Sequence, residues 1–176
     1  MEVIIGRRSI RRYTRDEVPA QALRDIVEAV RWAPSWANTQ CWEIIVVSDQ
    51  LIKEQLQGVL SPKNPAGPAM VSAPLVVAVC GKNRLSGFYK GEAVTGFGDW
   101  KLYDLGLATQ NILLAAASHG LATVVAGAFD HAEAGRILGL PEDVEVVTLV
   151  PLGYPDHEPG APKRKPPEDF VHQNQY

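Results

Sequence analysis

Apolar residues fall along this chain in two rhythms, one helical and one continuous. Between residues 20 and 32 they recur at Leu23, Ile26, Val27 and Val30, a spacing that predicts one face of a helix. Pro19 suits the start of that helix. Pro34 stops it, because the residue before a proline is pushed out of the helical region. Ile44-Ile45-Val46-Val47 then predicts a strand over 43–48, and Leu51, Ile52, Leu56, Val59 and Leu60 a second helix over 49–60. Residues 61–68 are punctuated by proline and glycine and read as a loop. The unbroken apolar run over 75–80 predicts a buried strand, and the glycine-rich stretch over 81–98 a long surface loop or lid.

The longest helical pattern covers residues 100–119 and closes at Gly120. Leu102, Leu105, Thr109, Ile112 and Ala116 mark one face, but Gly106, Leu107, Ala108, Leu113, Leu114 and Ala115 leave little polar surface elsewhere. A helix apolar nearly all round must be covered on every side. Two arrangements supply that cover: a second copy related by a two-fold axis, or a central place within one chain. A strand over 121–126 follows. Asp130 and Glu133 then form a capping-box pattern for a helix through Leu138, closed by Gly139, and the last strand covers 144–152. The proline-rich tail over 154–167 is followed by Phe170 and Val171, which offer an apolar anchor. Helix and strand alternate loosely in one 176-residue unit without repeats, so the expected class is α+β, an α/β sandwich around one sheet.

Composition narrows the function. Hydrophobic residues make up 46% and charged residues 21%, as in an ordinary globular domain, and the net charge of -3 argues against nucleic acid as the main partner. No apolar run reaches the ~20 residues that span a bilayer, and Arg7 and Arg8 interrupt any signal-peptide pattern. Cys41 and Cys80 fit a reducing cytoplasm and lie in no metal-ligand spacing. The basic residues are concentrated in Arg7-Arg8-Ser9-Ile10-Arg11-Arg12 and in Lys163-Arg164-Lys165. Guanidinium forks match phosphate oxygens, and Ser9 adds a hydroxyl, so the first cluster is either a phosphate cradle or a solvated basic patch. The segment Pro34-Ser35-Trp36-Ala37-Asn38-Thr39-Gln40 is dense in hydrogen-bonding side chains, which serve either a ligand or the turn itself.

Together these pieces resemble the FMN-dependent nitroreductase family. Arg7-Arg8-Ser9-Ile10-Arg11 is similar to its opening Arg-x-Ser-x-Arg/Lys motif. Residues 31–42, from Arg31 to Trp42, resemble its Trp-Ala-Pro-Ser-x-x-Asn-x-Gln-Pro-Trp motif. Asp104 to Ala108, with Asn111 and Leu113, resembles its central dimer helix. Leu152-Gly153-Tyr154-Pro155, followed by Lys163 to Pro166, resembles its carboxyl-terminal pair. The resemblance implies a mainly antiparallel sheet flanked by helices, in an entwined homodimer with two FMN sites at the interface. It places Arg7, Arg8 and Ser9 at the phosphate and ribityl end, joined by Lys163 and Arg164. It sets Arg11 near flavin N1 and O2, and Pro34, Ser35, Trp36 and Asn38 on the flavin of the other subunit. Val125, Ala126 and Gly127 would pass the ring, with the Gly127 N–H a donor to N5.

The activity so implied is ping-pong hydride transfer from NAD(P)H through flavin N5 to a nitroaromatic, quinone or similar acceptor, with no catalytic acid–base side chain. The chain has no G-x-G-x-x-G fingerprint, so nicotinamide would visit and not reside. Rival readings are an FMN oxidase, dehydrogenase or dehalogenase of the same fold, a flavin-binding sensor without turnover, and a basic-patch nucleic-acid binder. Trp36 stands where the family commonly has a small residue, and Cys41 where proline is frequent. Both put the lining of the acceptor pocket in question.

Overall fold

The computed structural model describes residues 1–176. Its architecture follows from strand β2 (Leu75–Lys82), whose residues from Val76 to Cys80 are apolar on both faces and all buried. Only a central strand can bury both faces. β2 pairs antiparallel with β1 (Trp42–Val47) on one side and β6 (Val144–Gly153) on the other, and β5 (Ala122–Thr123) closes the order β1-β2-β6-β5. Val76, Ala78 and Cys80 point into one core, with Leu56, Met70 and Ala134; Val77 and Val79 point into the other, with Ile26, Leu105 and Ile112. The first core lies under helices α3 (Gln50–Gly58), α4 (Gly67–Ser72) and α6 (His131–Ile137). The second lies under α2 (Ala20–Arg31) and α5 (Lys101–Ser118). The molecule is therefore an α+β sandwich of three layers.

A bulge reconciles β6 with both cores. Val79 pairs with Thr148 but Cys80 pairs with Val146, so Val147 is left over. One extra residue reverses which side chains face which layer. Val144, Val146 and Leu149 consequently share the first core, while Val150 and Leu152 enter the second.

The helix ends obey local chemistry. Asp49 caps α3 by accepting from the Ile52 N–H at 3.0 Å, and Asp130 caps α6 by accepting from the Glu133 N–H at 2.9 Å. At the end of α5, Gly120 (φ +70°) turns the chain so that the Leu121 N–H reaches the Ala116 carbonyl at 3.0 Å. Gly139 (φ +67°) does the same for α6, where the Leu140 N–H meets the Gly135 carbonyl at 2.9 Å.

Several expectations need correction. The strand expected over 121–126 is only two residues long, and its continuation is reduced to a bridge between Ala126 and Leu149. Periodicity also missed two short helices, α1 (Glu2–Gly6) and α4, each too short to show a repeat. The stretch over 81–98 is not a structureless loop. It extends β2 to Lys82 and then folds into a hairpin of β3 (Phe88–Tyr89) and β4 (Glu92–Ala93). Gly87 (φ +82°) permits this packing, since a Cβ there would lie 2.5 Å from the Gly98 carbonyl oxygen. Phe170 and Val171 are exposed and anchor nothing within one chain. Within one chain, helix α5 has no fully central place: Leu102, Tyr103, Gly106 and Gln110 face outward. No helix is long and apolar enough to cross a membrane.

Candidate functional site

Backbone pairing explains why the two ends of the polypeptide meet. The Ile10 N–H donates to the Thr123 carbonyl at 3.0 Å, which lays residues 9–10 along the short edge strand β5. A few residues on, the Thr14 N–H donates to the Tyr154 carbonyl and the Asp156 N–H to the Arg12 carbonyl, both at 3.0 Å. The buried Tyr13 hydroxyl ties the two runs together, 2.7 Å from the Ile10 carbonyl and 3.2 Å from that of Pro151. As the tail leaves β6 it is thus held against residues 10–14 and passes back over the opening arginines.

The result is a cleft of about 310 Å³ lined by Arg7, Arg8, Ser9, Arg11, Pro159, Gly160, Pro162 and Arg164. It has four guanidinium groups and no carboxylate. None of the four forms a salt bridge. What they do bond is backbone: Arg8 Nη1 donates to the Ile5 carbonyl at 2.6 Å and Arg11 Nη1 to that of Ser9 at 3.4 Å. Concentrated, uncompensated positive charge of this kind attracts a polyanion, and planar donor forks orient its oxygens. A phosphate monoester fits that donor set. Lys163 is exposed beside the cleft but does not line it.

The Pro34–Gln40 segment lies elsewhere in the chain. Ser35 Oγ accepts from the Gln40 N–H at 2.9 Å, and Trp36–Asn38 forms one 3-10 turn. Ala37, Asn38 and Gln40 all have positive φ (44°, 56° and 49°), a conformation that costs an L-residue about 1–2 kcal/mol. Asn38 Oδ1 accepts from Gln40 Nε2 at 3.3 Å, so these two side chains satisfy one another. With Trp100, Tyr103, Asp104 and Leu107, the residues Pro34, Ser35 and Trp36 line a second cleft of about 300 Å³. The Trp36 and Trp100 ring centroids are 5.2 Å apart, and Tyr103 meets Trp100 edge-on at 5.4 Å.

A single chain therefore brings together Arg7, Arg8, Ser9, Arg11 and Arg164 in one cleft, and Pro34, Ser35 and Trp36 in another. Val125 is exposed, Ala126 buried, and Gly127 exposed with its N–H bonded to no backbone carbonyl. Asp104, Ser86, Trp100 and Tyr103 were given no role in a site on sequence grounds. Asp104 alone carried a signal, as the one acidic residue of the otherwise apolar α5.

Cys41 is a buried thiol whose Sγ lies 3.7 Å from Asp104 Oδ2. Burial pushes it up to about 12, and the neighbouring Asp104 carboxylate adds to that rise. It stays protonated at neutral pH, which removes the thiolate that redox or nucleophilic chemistry requires.

Fold and cleft together define a class: an α+β sandwich with a concentrated cationic cleft where its two termini cross. The chain belongs to the nitroreductase family, whose model matches residues 4–154. It is 33% identical to the Thermus thermophilus NADH dehydrogenase, over 95% of this chain and 91% of that one. The structure of NADPH:FMN oxidoreductase from Vibrio harveyi, solved with NAD+, superposes with a TM-score of 0.85 at 30% identity, covering 99% of this chain and 76% of the other. Iodotyrosine deiodinase from Thermotoga neapolitana is 26% identical over 94% of this chain and 91% of its own.

Proposed function

We propose that this protein is an FMN-dependent oxidoreductase that passes hydride from NAD(P)H to a nitroaromatic, quinone or similar acceptor by a ping-pong route. The observation that carries the proposal is the acid-free cleft in which Arg7, Arg8, Ser9 and Arg11 meet Arg164 from the far end of the chain. In this reading Arg7, Arg8 and Ser9 hold the phosphate and ribityl end of FMN, and Lys163 and Arg164 close on it from the tail. Arg11 lies by the pyrimidine edge of the ring, where a fixed cation favours the negative charge of the reduced state. The exposed Gly127 N–H, bonded to no backbone carbonyl, would be a donor to N5. When bound, FMN supplies reversible uptake and release of hydride; the chain binds it, orients it and sets the charge around it.

The reading also calls for two copies of the chain. The cationic cleft and the Pro34–Gln40 segment line separate cavities, so one chain leaves the ring side of the cradle open. The outward face of α5, with Leu102, Tyr103 and Gly106, supplies a self-complementary surface for a two-fold partner. Through that pairing Pro34, Ser35, Trp36 and Asn38 of one subunit reach the flavin held by the other. The likeness to a deiodinase keeps one alternative in view, a reductive dehalogenase of the same fold.

An absorption spectrum of the purified protein, followed by anaerobic titration with NADH and NADPH, tests the proposal. Yellow dimeric protein that bleaches rapidly with either nucleotide is expected. Slow bleaching by both, with faster reduction by another donor, would favour the alternative. Protein that stays colourless and monomeric in excess FMN would end the proposal altogether.

A further inference from the structure

Asp104 is almost fully buried, at 1% exposure, in the first turn of α5. A carboxylate so placed needs donors for its lone pairs, and it has three. Both oxygens accept from the Trp36 backbone N–H at 3.1 Å, Oδ2 accepts from Ser86 Oγ at 2.6 Å, and the Cys41 thiol donates to the same oxygen at 3.7 Å. These donors come from two segments that are distant in sequence. Trp36 and Cys41 belong to the strained turn before β1, and Ser86 to the hairpin excursion between β2 and α5.

Ser86 is itself fully buried, and its carbonyl accepts from the Trp100 N–H at 3.1 Å. The Trp100 Nε1–H in turn donates to Thr95 Oγ1 at 2.7 Å, within the excursion. A continuous hydrogen-bonded path therefore runs from Trp36 through Asp104 and Ser86 to Trp100, and its two ends carry the rings, tilted 46° to one another, that wall the second cleft. A helix could present its apolar face to this place without any charge. The carboxylate bonds both the turn with its three left-handed residues and the excursion, which Asn83 also ties to the Asp143 carbonyl at 2.7 Å.

We propose that Asp104 is the positioning residue of this enzyme's second cleft: it locks the Trp36 turn to the Trp100 excursion and so sets the width of the ring wall that visiting substrates meet. The proposal rests on the oxidoreductase reading above and assigns that site its internal brace. Two consequences follow from the geometry. Loss of the brace lets the two rings separate, so substrates are held less well. FMN affinity falls less than substrate affinity, because the cationic cleft shares no lining residue with this one and only the contacts of Trp36 and its neighbours to the partner's flavin are loosened.

The test uses the flavin-loaded protein and the variants Ser86→Ala and Asp104→Asn. Ser86→Ala removes one hydroxyl and leaves the Trp36 bonds intact, so it carries the test even where Asp104→Asn folds poorly. Ser86→Ala removes a hydrogen bond to a charged group, worth about a factor of ten or more in local stability, and the loosened ring wall should raise the KM for the acceptor by up to roughly tenfold. FMN affinity should fall by less than the KM rises, since the cationic cleft is untouched and only the contacts of the Trp36 turn to the partner's flavin are loosened. Trp36 and Trp100 are close enough to couple optically, and their near-ultraviolet circular dichroism should weaken in the same variants. Unaltered KM and dichroism in Ser86→Ala, with FMN bound as in the wild type, would overturn the brace while leaving the oxidoreductase reading untouched. Wild-type protein that never takes up FMN would instead remove the reading on which the brace depends.

Discussion

The four guanidinium groups of the first cleft are the residues whose surroundings depart most from ordinary surface chemistry. Arg7 is half-buried and its side chain makes no hydrogen bond inside the chain, so nothing in the fold depends on it. A charge-assisted hydrogen bond to a phosphate contributes about 1.5–3 kcal/mol, so Arg7→Ala should weaken FMN binding by roughly ten- to a hundredfold with an unchanged melting temperature. Arg11→Ala should behave differently, lowering the flavin reduction potential more than its occupancy. Titrating both variants with FMN and measuring the potential of each separates the two roles, and a wild-type potential in the second would move Arg11 away from the ring.

Buried titratable residues make a separate prediction at high pH. Burial pushes both Cys41 and Cys80 from an ordinary value of 9.0 up to about 12. Burial raises the Tyr13 phenol as well, from 10.0. Below pH 9 these groups are protonated in folded and unfolded chains alike, and their contribution is complete. Between pH 9 and 12 the unfolded chain releases thiol protons that the folded chain retains, so stability falls, by up to about 1.4 kcal/mol per pH unit for each thiol. Cys80→Ala should flatten that decline in denaturant melts run from pH 8 to 11. An identical slope in the variant would mean that the thiol is not protected by burial.

At the scale of elements, α5 decides whether one chain is sufficient. It buries Leu105, Ala108, Ile112 and Ala116 against the sheet but leaves Gly106 open, with nothing within 4 Å of where a Cβ would stand. Gly106→Glu should therefore be tolerated by an isolated chain and rejected by a paired one, since an unpartnered carboxylate is costly to bury in an interface. Sedimentation should show monomer, and the protein should lose its flavin. A dimer that persists in this variant would place the seam on another surface.

Elements also show how much periodicity can carry. Strands β1, β2 and β6 and helices α2, α3, α5 and α6 stand close to their expected places, because an apolar run or face marks each of them, or, for α6, a capping acid and a glycine stop. The internal order of the excursion over 81–98 was not legible because it comes from few, scattered bonds: Arg84 N–H to Asp99 at 2.9 Å, Arg84 Nη2 to the Gly91 carbonyl at 2.7 Å, and buried Ser86 to Asp104. No local pattern announces contacts of that kind. The edge strand after α5 was overextended for the opposite reason. Leu121 to Ala126 is apolar but for Thr123, yet most of it packs as irregular chain beside β6.

For the molecule as a whole, the tail is the part most separable from the fold. Residues 160–176 are exposed throughout. Truncation after Pro159 should leave far-ultraviolet circular dichroism and the unfolding transition as they are, because no buried surface is lost. It should also weaken FMN binding and reduce the dependence of that binding on salt, since Lys163 and Arg164 depart together. Intact affinity after truncation would confine the cradle to the amino-terminal cluster.

The sequence by itself determined the three-layer build, the family, and the residue types available to hold an anion, because apolar periodicity and charge are local properties of a chain. Tertiary structure alone decided that Arg164 joins Arg7, Arg8 and Arg11 while Lys163 does not line their cleft, and that Asp104 faces inward to Trp36 and Ser86. Those outcomes depend on backbone pairings between residues up to 144 positions apart, such as Thr14 with Tyr154 and Arg12 with Asp156, whose register no local pattern specifies.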